Sequence, residues 1–215
     1  MSPKRVSALA IRLLFPLVLF GQAGLSPAWS DDAQDPDVSS AAILNDPAAP
    51  VAGNPKGDIT IVTFFDYNCP FCKKAEPSLE RVVKEDGHVR LVYKDWPILT
   101  KPSVYGAQLA LAAKYQGKYD VVHAALMAIP GLKIPEDQML AAVRASGVDM
   151  DRLDADLKAH ADEITALLRR TLAQADSLGL QGTPAYLVGH FKVTQALTYE
   201  GFRRALAEAR AQAGR

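Results

Sequence analysis

Cysteine is scarce in this 215-residue sequence: Cys69 and Cys72, three positions apart, are the whole supply. Distant disulfide staples are therefore excluded, and the one bond available closes a four-residue loop. Its entropic effect is small beside the ~3 kcal/mol of a 15-residue loop, so the pair is not there for stability. No further cysteine exists to complete a four-thiolate zinc site. His88, His123, His160 and His190 are scattered, and none keeps ligand spacing with another or with the cysteines. Each is expected at the surface or satisfied in the interior, so no metal site and no cofactor is expected. Excess positive charge is also lacking, since Lys plus Arg equals Asp plus Glu at 24 each, which argues against a nucleic-acid partner. Long apolar runs are confined to the first residues, and nothing later is long enough to cross a bilayer.

Those first residues resemble an export leader: Lys4, Arg5 and Arg12 precede "LLFPLVLFGQAGL", and "SPAWS" supplies small residues for cleavage after Ala28 or Ser30. Residues 1–28 are expected to be a signal peptide that exports the mature chain, which is mildly acidic once three cations are removed. Residues 29–57 carry Pro36, Pro47, Pro50 and Pro55, spaced to interrupt any helix longer than about two turns, and read as an extended N-terminal arm.

"DITIVTFFDY" is β-branched and aromatic on both faces, the pattern of a strand buried in mid-sheet. A helix is expected from about Pro70 to Glu85, closed by Gly87, and "HVRLVYKDW" makes the next strand. Alanine-rich helical segments follow near 103–116, 118–129, 136–146 and 150–178, the last bent near Ala159 to Ala161. "LQGTPAYLVGHFKV" gives a turn and a hairpin, and "TYEGFRRALAEARAQ" a closing amphipathic helix. The fold class is α/β: one domain over 58–100 and 179–215, interrupted by a helical insertion at 101–178.

In "IVTFFDYNCPFCKKAEPSLERVV" a strand leads in and a helix leads out. With Cys69 at the N-cap, Pro70 occupies the first helical position, where a missing N–H costs nothing. The Cys72 N–H, an orphan of the first turn, then points at the Cys69 sulfur and stabilises its thiolate. The helix dipole adds about 0.3–1 kcal/mol. Cys69 is expected to be the reactive thiolate and Cys72 the more buried resolving thiol, an arrangement suited to thiol-disulfide exchange through a mixed disulfide. Lys73 and Lys74 read as solvated cations, and "VVHAALMAIP", with Met127 and Ile129, as a core stripe.

"FFDYNCPFC", "GTPAYLVG" and the helical stretch between them resemble the DsbA-like branch of the thioredoxin superfamily, above all its ScsC (suppressor of copper sensitivity) and Com1-type members, over about residues 45–210. The resemblance implies a thioredoxin fold with an inserted helical subdomain, a setting in the periplasm of a Gram-negative bacterium, and dithiol-disulfide oxidoreductase activity on cysteine-containing protein clients. It further implies a membrane redox partner that resets Cys69 and Cys72. Pro184 falls where the family has its cis-proline, and Thr183 where the backbone pairs with a client. Pro77 resembles the proline that kinks this helix. Two departures stand out. Thr63 occupies the place of a buried carboxylate six residues before the first cysteine, while Asp66 points to the opposite face. Phe71, between the cysteines, can neither donate to the Cys69 thiolate nor bring positive charge, as a histidine there would, so a less oxidising pair is expected.

Two other readings stand beside this one. The same two thiolates could hold Cu(I) in a copper-tolerance module, or the protein could be a disulfide isomerase if oligomeric. A monomer is expected, because the proline-rich arm leaves no room for a helical stalk.

Overall fold

A computed structural model of the chain describes residues 37–214; the expected signal peptide lies outside the described residues. Five strands form one sheet in the order β1-β3-β2-β4-β5. Strands β2 (Ile59–Phe65) and β3 (Val89–Asp95) lie at its centre and pair in parallel, joined by the right length of chain for a crossover helix, α2 (Pro70–Asp86). On the far side of β2, the hairpin of β4 (Ala185–Val188) and β5 (Phe191–Val193) adds antiparallel.

The proline-rich arm is not merely extended. Ser39 caps a six-residue helix, α1 (Ser40–Asn45), and β1 (Val51–Gly53) joins the sheet antiparallel to β3. Proline spacing limits helix length, as expected, but pairing with β3 is a long-range choice that no local pattern encodes.

Alternation along β2 sends its side chains to two separate cores. Ile59, Ile61 and Phe65 face α2, the closing helix α8 (Tyr199–Ala213) and the helical block, in a cluster with Leu79, Val82, Tyr186 and Phe202. Val62 and Phe64 face α1 and a second cluster with Ile43, Val92, Trp96, Ala175 and Leu180. Full burial of one such aliphatic or aromatic side chain contributes about 1.5–3 kcal/mol, which fixes the register, since a one-residue slip would exchange the faces.

Between β3 and β4 lie five helices: α3 (Lys101–Ala113), α4 (Tyr119–Met127), α5 (Glu136–Ala145), α6 (Met150–Ala159) and α7 (Ala161–Ser177). Thr100 caps α3, which ends in a single 3-10 turn at 114–116. Its alanines allow close packing, and an added Cβ at Gly106 would lie 3.0 Å from Met139 Sδ and in contact with the Tyr67 ring at 3.4 Å. The expected bend in the long helix falls at His160, which ends α6 and caps α7. Pro77 neither ends α2 nor shortens it; the helix runs on to Gly87, whose φ of +70° supplies the left-handed cap.

Candidate active site

The turn between β2 and α2 is cross-linked before it reaches the cysteines. Asp66, buried, accepts from Asn68 N at 2.7 Å and from Leu99 N at 2.9 Å. Asn68 donates to Thr100 Oγ1 at 2.8 Å and accepts from Ile134 N at 2.6 Å. Three loops are thereby tied together beneath the helix start, and Cys69 is delivered to the N-cap with fixed backbone geometry.

There the Cys72 N–H donates to Cys69 Sγ at 3.3 Å, and Pro70 holds the first helical position. The Thr183–Pro184 peptide is cis, and the Thr183 carbonyl lies 3.2 Å from Cys69 Sγ, accepting from the thiol when it is protonated. Both cysteines are free. Each is only 2% exposed, so solvent access does not separate them, while burial weighs most heavily on the Cys72 sulfur. Hydrogen bonding also separates the sulfurs. The Cys72 thiol donates to Cys69, and with the Thr183 side chain and the Cys72 and Phe71 backbone N–H groups this outweighs burial, bringing Cys69 from an ordinary 9.0 down to about 6. Burial, reinforced by the Cys69 thiolate, pushes Cys72 far up. At neutral pH the pair is one thiolate and one thiol.

Thr183 Oγ1 is buried and makes no hydrogen bond to oxygen or nitrogen among the described residues, which leaves the Cys69 thiolate as the acceptor its position favours. Thr183→Val, which keeps the shape and removes the donor, is expected to raise the Cys69 pKa, read as pH-dependent alkylation of the reduced protein. An unmoved titration would show that the hydroxyl plays no part.

Phe71 projects outward, 62% exposed, beside exposed Pro70, and Leu132, 60% exposed, stands nearby on the loop after α4. Between this loop and α2 runs a groove of about 480 Å³ lined by Pro70, Glu76, Pro77, Glu80, Met127 and Leu132. Lys73 is not a solvated cation: it is half-buried and its Nζ donates to the Ile129 carbonyl at 2.7 Å, pinning the loop to α2. Met127 and Ile129 are buried at 6% each, as a core stripe requires, although Met127 also floors the groove.

Glu76 and His123 were not singled out by spacing. Glu76, 6% exposed, binds His123 Nε2 at 3.1 Å, and His123 Nδ1 meets Tyr67 OH at 3.0 Å. His123 is thus a satisfied interior histidine, as expected; its carboxylate partner lies 47 positions away. The position of Glu76 one turn after Cys72 is the only sequence signal that pointed to it. Among the described residues no group of three or more His, Cys, Asp or Glu is placed to hold a metal ion.

A dithiol at the start of the first crossover helix, packed against a cis-proline loop, is the arrangement found in thioredoxin-like proteins, and a family described as thioredoxin matches residues 45–208. The chain belongs to the thioredoxin family. Within it, a thioredoxin-like oxidoreductase of Silicibacter pomeroyi is 41% identical, with a TM-score of 0.75 over 80% of this chain and 98% of that one. The thiol-disulfide exchange protein alpha-DsbA2 of Wolbachia pipientis is 27% identical, with a TM-score of 0.73 over 78% and 90%. The catalytic domain of Proteus mirabilis ScsC is 25% identical, with a TM-score of 0.72 over 80% and 94%. These agree with a DsbA-like and ScsC-like thioredoxin fold. The curated relatives include Na⁺/H⁺ antiporters, such as one from Salinispora arenicola that is 31% identical over 142 residues, 64% of this chain. This chain spans about a fifth of that protein's length, at 21%. No described helix is long and apolar enough to cross a membrane.

Proposed function

We propose that the protein is a periplasmic thiol:disulfide oxidoreductase that exchanges disulfides with cysteine-containing protein clients through Cys69-Pro-Phe-Cys72. In the oxidising direction a client thiolate attacks the Cys69 sulfur. The Cys69–Cys72 bond breaks, Cys72 leaves with the electron pair and takes a proton, and a mixed disulfide joins Cys69 to the client. A second client thiolate attacks the client's own sulfur and releases Cys69 as a thiolate. The client is oxidised by two electrons, the pair is reduced, and a membrane redox partner removes those electrons.

One observation carries the reading: the Cys69 sulfur sits between the first helical N–H groups and the Thr183 side chain of the cis-proline loop, which with the Cys72 thiol stabilise it as a leaving thiolate. A pair whose reduced form is stabilised in this way favours oxidation of clients over their reduction. Pro70, Phe71 and Leu132 offer an apolar lip, and Thr183 a backbone edge, to an extended client segment. Monomeric action is supported by the arm, whose one described helix has six residues and offers no stalk to bring several active sites together. The leader-like residues 1–28 support export.

Cys72→Ala tests this in cells. Removing the resolving sulfur is expected to strand covalent, reductant-sensitive adducts of clients and of the redox partner on Cys69, and Cys69→Ala is expected to yield none. A Cys72→Ala protein that stays free of adducts while Cys69 remains alkylatable would overturn the proposal.

A further inference from the structure

Resting on that exchange reading, we infer that Glu76, gripped by His123, carries the proton of the Cys72 thiol, in place of the carboxylate that β2 lacks at Thr63. Cys72 must gain a proton each time a client opens the disulfide and lose one each time the disulfide is remade, yet its sulfur is buried among groups that cannot help. Thr63, buried on the α2 face of β2, offers a hydroxyl. It pairs in register with Tyr93 on β3 and Tyr186 on β4, and burial pushes both phenols up, away from any role as a base at neutral pH. Both carboxylate oxygens of Asp66 are taken by the turn.

Glu76 differs from all of these. It lies one helical turn after Cys72 on the buried face of α2, where residues four apart have β-carbons about 5–6 Å from each other. The nearness of the two is felt at Tyr186, whose phenol is raised by burial and then by Cys72 and Glu76. If Tyr67 OH donates to His123 Nδ1, the ring proton sits on Nε2 and donates to Glu76 Oε1, leaving Oε2 for the exchanging proton. Glu76 also lines the 480 Å³ groove, so the proton has an exit to water. Glu80, one turn further along that groove, is raised by burial and then by Glu76, which shows the two carboxyls sharing one environment.

Protons and electrons balance in both directions. When a client thiolate attacks the Cys69 sulfur, the Cys69–Cys72 bond breaks. Cys72 takes the bonding pair and a proton that Glu76 relays from water at the groove, so Glu76 ends as it began. In reverse, Glu76 takes the Cys72 proton, the Cys72 sulfur attacks the Cys69 sulfur of a mixed disulfide, and the partner's thiolate leaves.

The test follows reduced protein with oxidised glutathione by stopped flow, which separates formation of the Cys69-glutathione mixed disulfide from its resolution by Cys72. Glu76→Gln keeps the shape and an oxygen for His123. It is expected to lower the ratio of the second rate to the first about 100-fold near pH 7. The second step should then rise with pH where wild type is level. The groups facing Glu76 are Lys73 and Glu80 on α2, His123 on α4, Tyr67 on the turn, Tyr93 on β3 and Tyr186 on β4. None of these is altered by the substitution. Thr63→Glu added to Glu76→Gln is expected to restore the ratio, which a purely structural role for Glu76 would not allow. Should Glu76→Gln fail to fold, Glu76→Asp is expected to lower the ratio by a smaller factor with the same change in pH profile. An unchanged ratio and profile in a folded variant would overturn the inference, as would no rescue by Thr63→Glu. Failure of the exchange reading looks different: wild type itself would form no mixed disulfide.

Discussion

Reduced protein is expected to resist denaturant better than oxidised protein by a margin that grows from pH 6 to pH 9. Folding brings Cys69 from an ordinary 9.0 to about 6. Below pH 6 the thiol is protonated in folded and unfolded chains alike, and this pH-dependent part of the margin vanishes, leaving only the constant effect of the four-residue disulfide loop. Between 6 and 9 the folded chain holds a thiolate while the unfolded chain still holds the proton. The unfolded state then binds more protons, and stability rises with pH at 1.36 kcal/mol for each pH unit. Above 9 the unfolded Cys69 ionises too and the gain levels at about 4 kcal/mol. Cys72 works in the opposite sense there: burial keeps its thiol protonated in the folded chain, so ionisation of the unfolded chain erodes the margin above pH 9. The oxidised protein has neither thiol, so subtracting its unfolding free energy at each pH isolates the pair. A margin that stays flat from pH 5 to pH 9 would contradict the hydrogen bonding described around Cys69. The same free energy appears in the reduction potential: at pH 7, one unit above 6, it is about 1.4 kcal/mol, or about 30 mV for a two-electron couple. Phe71 limits how far this goes, because only its backbone N–H helps the thiolate while its ring faces solvent.

Much of this site was legible locally. Strand β2 shows its two buried faces in its own composition, Pro70 announces the first helical turn, and the proline of "GTP" is cis where resemblance placed it. Residues whose role depends on a distant partner were not legible. Lys73 looks like any exposed lysine until the loop after α4 brings the Ile129 carbonyl to it, 56 positions on. His123 and Glu76 sit on different helices, and nothing in either segment names the other. The cover over Cys69 was not legible for the same reason: the loop carrying Thr183 arrives from 114 residues away and lies against its sulfur.

The sheet's opposite face holds a charge cluster with a large expected effect on stability. Asp46, at the end of α1, binds Lys94 Nζ at 3.1 Å and Arg170 through two bonds of 2.9 Å, and also accepts from Ala48 N at 3.0 Å. The Lys94 side chain is fully buried on β3, while Arg170 reaches in from α7 with 27% of its side chain exposed. Burial raises the Asp46 carboxyl, but Arg170 and Lys94 prevail and hold it below the usual carboxylate range. Burial lowers Lys94, and Asp46 opposes that. Asp46→Ala therefore leaves a lysine without its counter-ion inside the protein, and removing one partner of a buried pair costs about 3–5 kcal/mol. That is a large part of the 5–15 kcal/mol a domain of this kind has, so a steep fall in urea midpoint is expected. Replacing Lys94 by Met in the same protein should recover most of the loss, because the stranded charge, not lost packing, is the cause. Alternation along β3 puts Lys94 on the side of the sheet away from α2, so Cys69 in the folded Asp46→Ala protein should still titrate near 6. A cost under about 1 kcal/mol would show that the arm is held by α1 and β1 rather than by this cluster.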